Sequence, residues 1–432
     1  MATALRPLRL PGFPNLGLAY FVNEFGNWLG EIALAILVYD QTGSPIATAG
    51  LFCAMHFAPA LIAPPLVSRV EGLPIRLTLP GLYAAEAGVF VLLALTVDSF
   101  ALVLVLVLAV VDGSLASAAR ALTRAAATAV LAPAGQLREG NALLNVAFTV
   151  GAAGGPALAG IVVAGAGVET ALLADAASFM AVAALLALAR RLELPDTDQP
   201  GAPWTERLRN GLDYVRERPA LRRLLAAQAL AFVFFSLVIP IEVVFAKETL
   251  GSGDAGYGAL LASWGLGMVA GSVAFAALRR VRLSALLFGA TLAIGVAYLA
   301  TAVSPTLAVA CAASFVGGLG NGVQWIGLVT AVQELTRAAY QARVLSLLEA
   351  LASAMPGIGF LVGGAIAALF APRLAYAVAG AGVLCVLVIA GAALRRVDWS
   401  PELEQGDVQD DLQPGASSVA EAGTSRTALT GP

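Results

Sequence analysis

Long apolar runs broken by short, arginine-bearing polar segments recur twelve times between Asn15 and Leu394. A helix rising about 1.5 Å per residue crosses the roughly 30 Å hydrocarbon layer of a bilayer in about 20 residues. On that measure the pattern predicts spans near 15–39, 46–67, 77–97, 99–119, 142–164, 170–189, 224–246, 256–278, 283–303, 306–333, 344–370 and 373–394. Several exceed the minimum, which implies tilt or extension beyond the membrane.

The longest internal polar segment, Arg190–Arg223, falls between spans six and seven. It opens with the breaker-rich stretch LPDTDQPGAP and continues with Trp204, Leu208, Leu212 and Val215 at helical spacing. That predicts an amphipathic linker helix on the cytoplasmic face. The expected organisation is a six-helix bundle (1–189), a linker (190–223), a second six-helix bundle (224–396) and a disordered tail (397–432). The tail holds many Ser, Gly, Pro and Ala residues and no periodic apolar face.

The two bundles echo each other. Residues 131–160 resemble 335–364 at an offset of 204, with Asn145 facing Glu349, and Gly155 and Gly160 facing Gly359 and Gly364. Parallel halves related by an axis along the membrane normal are a known transporter plan. The predicted fold class is therefore an all-α membrane protein, with twelve helices in two pseudo-symmetric six-helix bundles around a central cleft.

Charge sets the orientation. With the N-terminus inside, 23 basic residues fall on the cytoplasmic side and two, Lys247 and Arg373, on the other. By the positive-inside rule both termini are expected in the cytoplasm. Hydrophobic residues form 59% of the chain and charged ones 12%, against about 25% charged in soluble domains, which excludes a water-soluble fold. Cys53, Cys311 and Cys385 all lie within spans, and His56 is the single histidine, so neither a disulfide framework nor a metal site is expected. Lys247 is the only lysine among 25 basic residues, a usage that suggests a GC-rich bacterial genome and hence a bacterial inner membrane. The start of the chain reads as an uncleaved first span rather than a signal peptide.

Ionisable groups within spans cost about 2.5–3.5 kcal/mol each and tend to face a cavity or a partner. The candidates are all acidic: Glu24, Glu31, Glu86, Asp112, Asp175, Glu242 and Glu349. In span one Glu24, Asn27, Trp28 and Glu31 share one helical face, so they line a cleft or bond to neighbouring helices. Asp112 precedes Gly113 and suits a bend as well as a pathway; Asp175 suits a structural cap. Glu242 follows Pro240, and Glu349 precedes Pro356 and Gly357, which makes each a coupling candidate. His56, amid Cys53, Met55 and Phe57, reads as a packed residue before it reads as a proton carrier. Arg69, Arg76 and Arg343 anchor cytoplasmic ends, or close a cytoplasmic gate with Glu71 and Glu139.

Twelve spans, a long central loop and two similar halves resemble the major facilitator superfamily. The stretch 26–66, with its VYDQTGS turn at Val38–Ser44, is similar to the first hairpin of that superfamily's bacterial exporter branch, which includes enterobactin-exporter-like and macrolide-efflux-like proteins. Gly151, Gly155, Pro156 and Gly160 resemble the antiporter motif of superfamily exporters, with Ala159 in place of one glycine. The second–third loop, SRVEGLPIR, departs from the superfamily's usual D-R-x-G-R-R pattern, and Arg120 lies at the cytoplasmic end of span four rather than mid-span.

The resemblance implies a secondary transporter, not an enzyme, that exports small amphipathic or cationic organic molecules in exchange for protons. The substrate pathway would run along Glu24, Asn27, Trp28, Glu31, Asp112, Glu242 and Glu349. The partners expected are the substrate, protons and the lipid bilayer, with no cofactor, no nucleic acid and a monomeric state. An importer or a lipid transporter of the same fold is the alternative. A sensor or an intramembrane enzyme fits the sequence less well, since no P-loop, hydrolase or metalloprotease motif is present.

Overall fold

The computed structural model describes residues 5–60, 62, 66, 73–189, 204–278 and 280–394, and every regular element among them is helical. Ten helices among the described residues are long and apolar enough to cross a membrane, and Pro45–Ala60 is a shorter apolar helix. One of the ten, Leu137–Leu188, is two helices joined at Gly167, whose φ of 84° and ψ of 168° leave the helical region. Its two arms run antiparallel: Gly151 packs on Glu24, while Asp175 and Ser178 pack on Gly26, two residues along the same helix.

We number the spanning helices α1 (Phe13–Thr42), α2 (Pro45–Ala60), α3 (Ile75–Leu95), α4 (Leu102–Leu131), α5 (137–166), α6 (168–188), α7 (Pro219–Thr249), α8 (Gly253–Ala277), α9 (Leu283–Ala302), α10 (Leu307–Glu334), α11 (Ala338–Leu369) and α12 (Pro372–Leu394). The first turn is set by Gly43, in the left-handed conformation, and by Ser44, whose hydroxyl caps the Ala47 amide. α4 differs from expectation. It runs to Leu131, twelve residues past the predicted end at 119, so Arg120 and Arg124 sit within a helix rather than in a loop.

The linker helix Trp204–Glu217 forms as predicted. Tyr214 and Val215 are buried against Leu328, Val332, Val344 and Leu347 of the second half, so this face is covered by protein. Tyr214 stacks on Tyr340 with centroids 4.2 Å apart, carries the Arg218 guanidinium 3.6 Å above its ring, and accepts a hydrogen bond from the Arg337 amide. The tail beyond residue 394 lies outside the described residues.

The internal echo has a packing counterpart. A side chain at Gly155 would strike Trp28 of α1, and one at Gly359 would strike Ser236 of α7, each within its own half. At Gly160 it would strike Gly258 of α8, and at Gly364 Ala49 of α2, each in the opposite half. Helices five and eleven thus make the same contacts with swapped partners, as a two-fold relation requires. Small residues let these helix backbones approach where a larger side chain would hold them apart.

Candidate functional site

Between the halves lies a cavity of about 760 Å³. Its first wall comes from α1, α2, α3 and α4 and includes the polar groups of Glu24, Asn27, Glu31, His56, Asp112, Arg120 and Arg124 as well as the rings of Trp28, Phe52 and Phe90. Its second wall comes from α7, α10 and α11 and is aromatic, with Phe232, Phe235, Trp325 and Phe360, plus the single acid Glu349. At the end of the molecule that holds the Gly43 turn the halves are tied: the Tyr39 hydroxyl donates to Glu248, and Lys247 pairs with Asp40 at 2.5 Å while Asp254 of its own half holds it at 2.7 Å. At the opposite end Arg124 and Glu349 face each other across the mouth at 3.5 Å, both largely exposed.

Each predicted residue has a definite place. Glu24, Asn27, Trp28, Glu31, Asp112 and Glu349 line the cavity. Glu242 is not among its lining residues. It stands behind the second wall, where the Tyr376 hydroxyl bonds it and where Tyr257, Tyr298 and Glu31 are its electrostatic neighbours. Gly151, Gly155, Pro156 and Gly160 form a packing face: the first two seat Glu24 and Trp28 of α1, and the last two meet Gly258 of α8. Of the gate residues, Arg69 and Glu71 and the side chain of Arg343 lie outside what is described; Arg76 begins α3, and Glu139 is half-buried at the start of α5.

The sequence reading placed no basic group as deep as the acids. The structure corrects that: Arg120 and Arg124 reach the cavity because α4 is long and the cavity is polar. Arg120 has Glu24, Glu86 and Asp112 as electrostatic neighbours. His56 has the packed residue's contact, Nδ1 3.3 Å from the Phe52 carbonyl oxygen, and also lines the cavity. Its ring lies in a π-helical segment, Cys53–Phe57, with Nε2 3.8 Å from Glu31 and its edge toward Phe360. π-bulges inside α-helices are frequent at functional sites.

Glu86 and Asp175 are buried in the first half, at 1% and 0% exposure. Ser178 donates to Asp175 Oδ1 at 3.0 Å, and Gly26 and Gly30 of α1 leave the space that the Asp175 and Ser178 side chains fill. No group of three or more His, Cys, Asp or Glu side chains that could hold a metal ion occurs among the described residues.

Two six-helix halves around a charged, water-reachable cavity closed at one end define a multi-pass membrane transporter of the major facilitator type. The chain belongs to the family described as transmembrane secretion effector, whose profile matches residues 2–416. Similar solved structures include the nucleoside transporter NupG (TM-score 0.69, 13% identity, 89% of this chain and 100% of that one). A bacterial homologue of the iron transporter ferroportin in its inward-facing state is also similar (TM-score 0.69, 16% identity, 89% and 99%). So is a peptide-transporter-family (POT) protein in complex with 5-aminolevulinic acid (TM-score 0.70, 13% identity, 90% and 96%). At these identities the likeness is one of fold. Among curated proteins no relative matches the sequence.

Proposed function

We propose that this protein is a proton-driven exporter of small amphipathic or cationic organic molecules, of the bacterial exporter branch, working by alternating access and drawn here with its cavity open to the cytoplasm. The observation that carries this reading is the cavity itself. Its volume of about 760 Å³ falls within the roughly 300–1,000 Å³ typical of small-molecule sites. It combines carboxylates, most of them on the first wall, with aromatic rings on both. The family's description as a secretion effector favours outward movement.

In this reading Glu31, beside His56, exchanges a proton for a cationic substrate. A carboxylate withdrawn from water is stabilised either by protonation or by a bound cation, so the two compete for one site. Release of substrate and entry of a proton on the far side then reset the carrier, with closure alternating between the Lys247 end and the Arg124 end. Arg120 and Arg124 suit a substrate that also carries an acidic group, so a zwitterion fits the same walls. The basic-residue distribution supports a linker on the cytoplasmic side, and the reading sets the protein in a bacterial inner membrane.

The test is transport into inverted membrane vesicles, with and without a proton gradient, across a panel of organic cations. Gradient-dependent uptake of at least one compound is expected, together with labelling of a cysteine at residue 205 only from the cytoplasmic side. Uptake that runs toward the cytoplasm, or labelling of residue 205 from outside, would overturn the assignment.

A further inference from the structure

Behind the first cavity wall, among α1, α3 and α4, lies a separate polar chamber of about 20 Å³. A single water needs roughly 10–15 Å³ by the same measure, so one water fits. Tyr20, Asn23, Glu24, Glu86 and Arg120 contribute to its lining. Two of these residues, Asn23 and Glu86, each carry a buried oxygen with no hydrogen-bond partner, Asn23 Oδ1 and Glu86 Oε1. Glu86 is 1% exposed. A buried carboxyl oxygen without a partner costs about 1–3 kcal/mol or more, and a bridging water removes that penalty. Glu24, Asn27, Ala116 and Arg120 line both the chamber and the large cavity, so the partition between them runs through these four, with the Ala116 methyl as its smallest side chain.

We propose that this chamber holds a water that relays protons between Glu24 in the cavity and Glu86 in the core, making Glu86 an internal proton store of the transporter. The relay rests on the proton-driven reading above and extends it to a residue that touches no substrate. The step balances. The Glu24 carboxyl gives its proton to the water, and the water passes one of its own to the Glu86 carboxylate; one negative charge moves from Glu86 to Glu24, and none is created. The groups facing Glu86 are Glu24 on α1, Asp112 and Arg120 on α4 and Asp175 on α6, with Tyr83 on α3 itself one turn away. Moving the negative charge outward takes it away from Asp175 toward the cavity, where Arg120 also faces it. A metal cation is a poorer occupant, because the Arg120 guanidinium shares the chamber.

The experiment is infrared spectroscopy of the purified full-length protein during exchange from H₂O into D₂O, with protons as the only ligand. A protonated carboxyl band that shifts on deuteration is expected in the parent and lost in Glu86→Gln. In Ala116→Leu, which fills the partition without touching a carboxyl, the band should persist and its shift should slow at least about tenfold. Ala116→Val is the smaller substitution if leucine prevents folding. An unchanged band in Glu86→Gln, or equally fast exchange in the filled variant, would overturn the relay. Because no substrate is involved, that failure leaves the transport reading intact, whereas loss of gradient-dependent uptake in the parent would remove both.

Discussion

The two walls of the cavity come from the two halves of a pseudo-symmetric pair, yet they differ in charge. The first half presents Glu24, Glu31, Asp112, Arg120, Arg124 and His56 beside Trp28, Phe52 and Phe90. The second presents Phe232, Phe235, Trp325 and Phe360, with Glu349 alone as an acid. The position-by-position echo shows how the difference arises. Gly155 and Gly359, or Gly160 and Gly364, keep their packing roles in both halves because helix approach depends on them. The facing side chains carry no such constraint. The packing glycines therefore follow the symmetry, and the charged lining of the cavity departs from it.

Removing Arg120 should break this division most severely. Arg120→Ala leaves Glu24, Glu86 and Asp112 without their nearby cation. Uncompensated charge in a low-dielectric site is strongly destabilising. Gradient-driven transport in proteoliposomes, per inserted molecule, is expected to fall at least about tenfold, and the melting temperature of the purified protein to fall with it. Lys247→Ala removes the ion pair with Asp40 that ties the halves at the Gly43 end, together with its partner contact to Asp254 within the second half. Discounted for partial solvent exposure, the loss is about 1 kcal/mol, a roughly fivefold shift toward the state open at that end. Spin labels at residues 41 and 255 should report it as a longer distance. Trp325→Ala tests the aromatic wall. It should weaken substrate binding roughly fivefold, read by equilibrium titration, while the ratio of protons to substrate moved stays constant. The smallest effect belongs to the exposed Arg124–Glu349 pair: neutralising both should change transport less than about threefold, since surface ion pairs contribute roughly 0–1 kcal/mol.

How far the sequence foretold this differs by feature. Helix positions were legible because hydrocarbon demands long, continuous apolar runs, and the shared face of Glu24, Asn27, Trp28 and Glu31 follows from helical period alone. Arg120 and Arg124 were misplaced because hydropathy ends a span at its first charges. A helix lining a polar cavity continues through them, as α4 does to Leu131. Glu242 was read as a pathway residue from its neighbour Pro240, yet Tyr257, Tyr298 and Tyr376 gather around it from three other helices. No local pattern encodes that cluster. The ties of Asp40 to Lys247 and of Tyr39 to Glu248 join residues more than 200 positions apart, which again only the folded chain brings together. The π-helical segment that holds His56 leaves no trace in hydropathy, nor does the approach of His56 to Glu31.

The central claim is that the charged first wall couples substrate to protons at Glu31. Glu31→Gln keeps the size and hydrogen-bonding shape of the side chain and removes only its titration. The most direct measurement compares two modes of transport by this variant in the same proteoliposomes: substrate movement driven by an imposed proton gradient, and substrate-for-substrate counterflow without one. The account predicts that gradient-driven movement falls at least about tenfold while counterflow stays within about twofold of the parent. Gradient-driven movement equal to the parent's would contradict it and place the coupling on another residue.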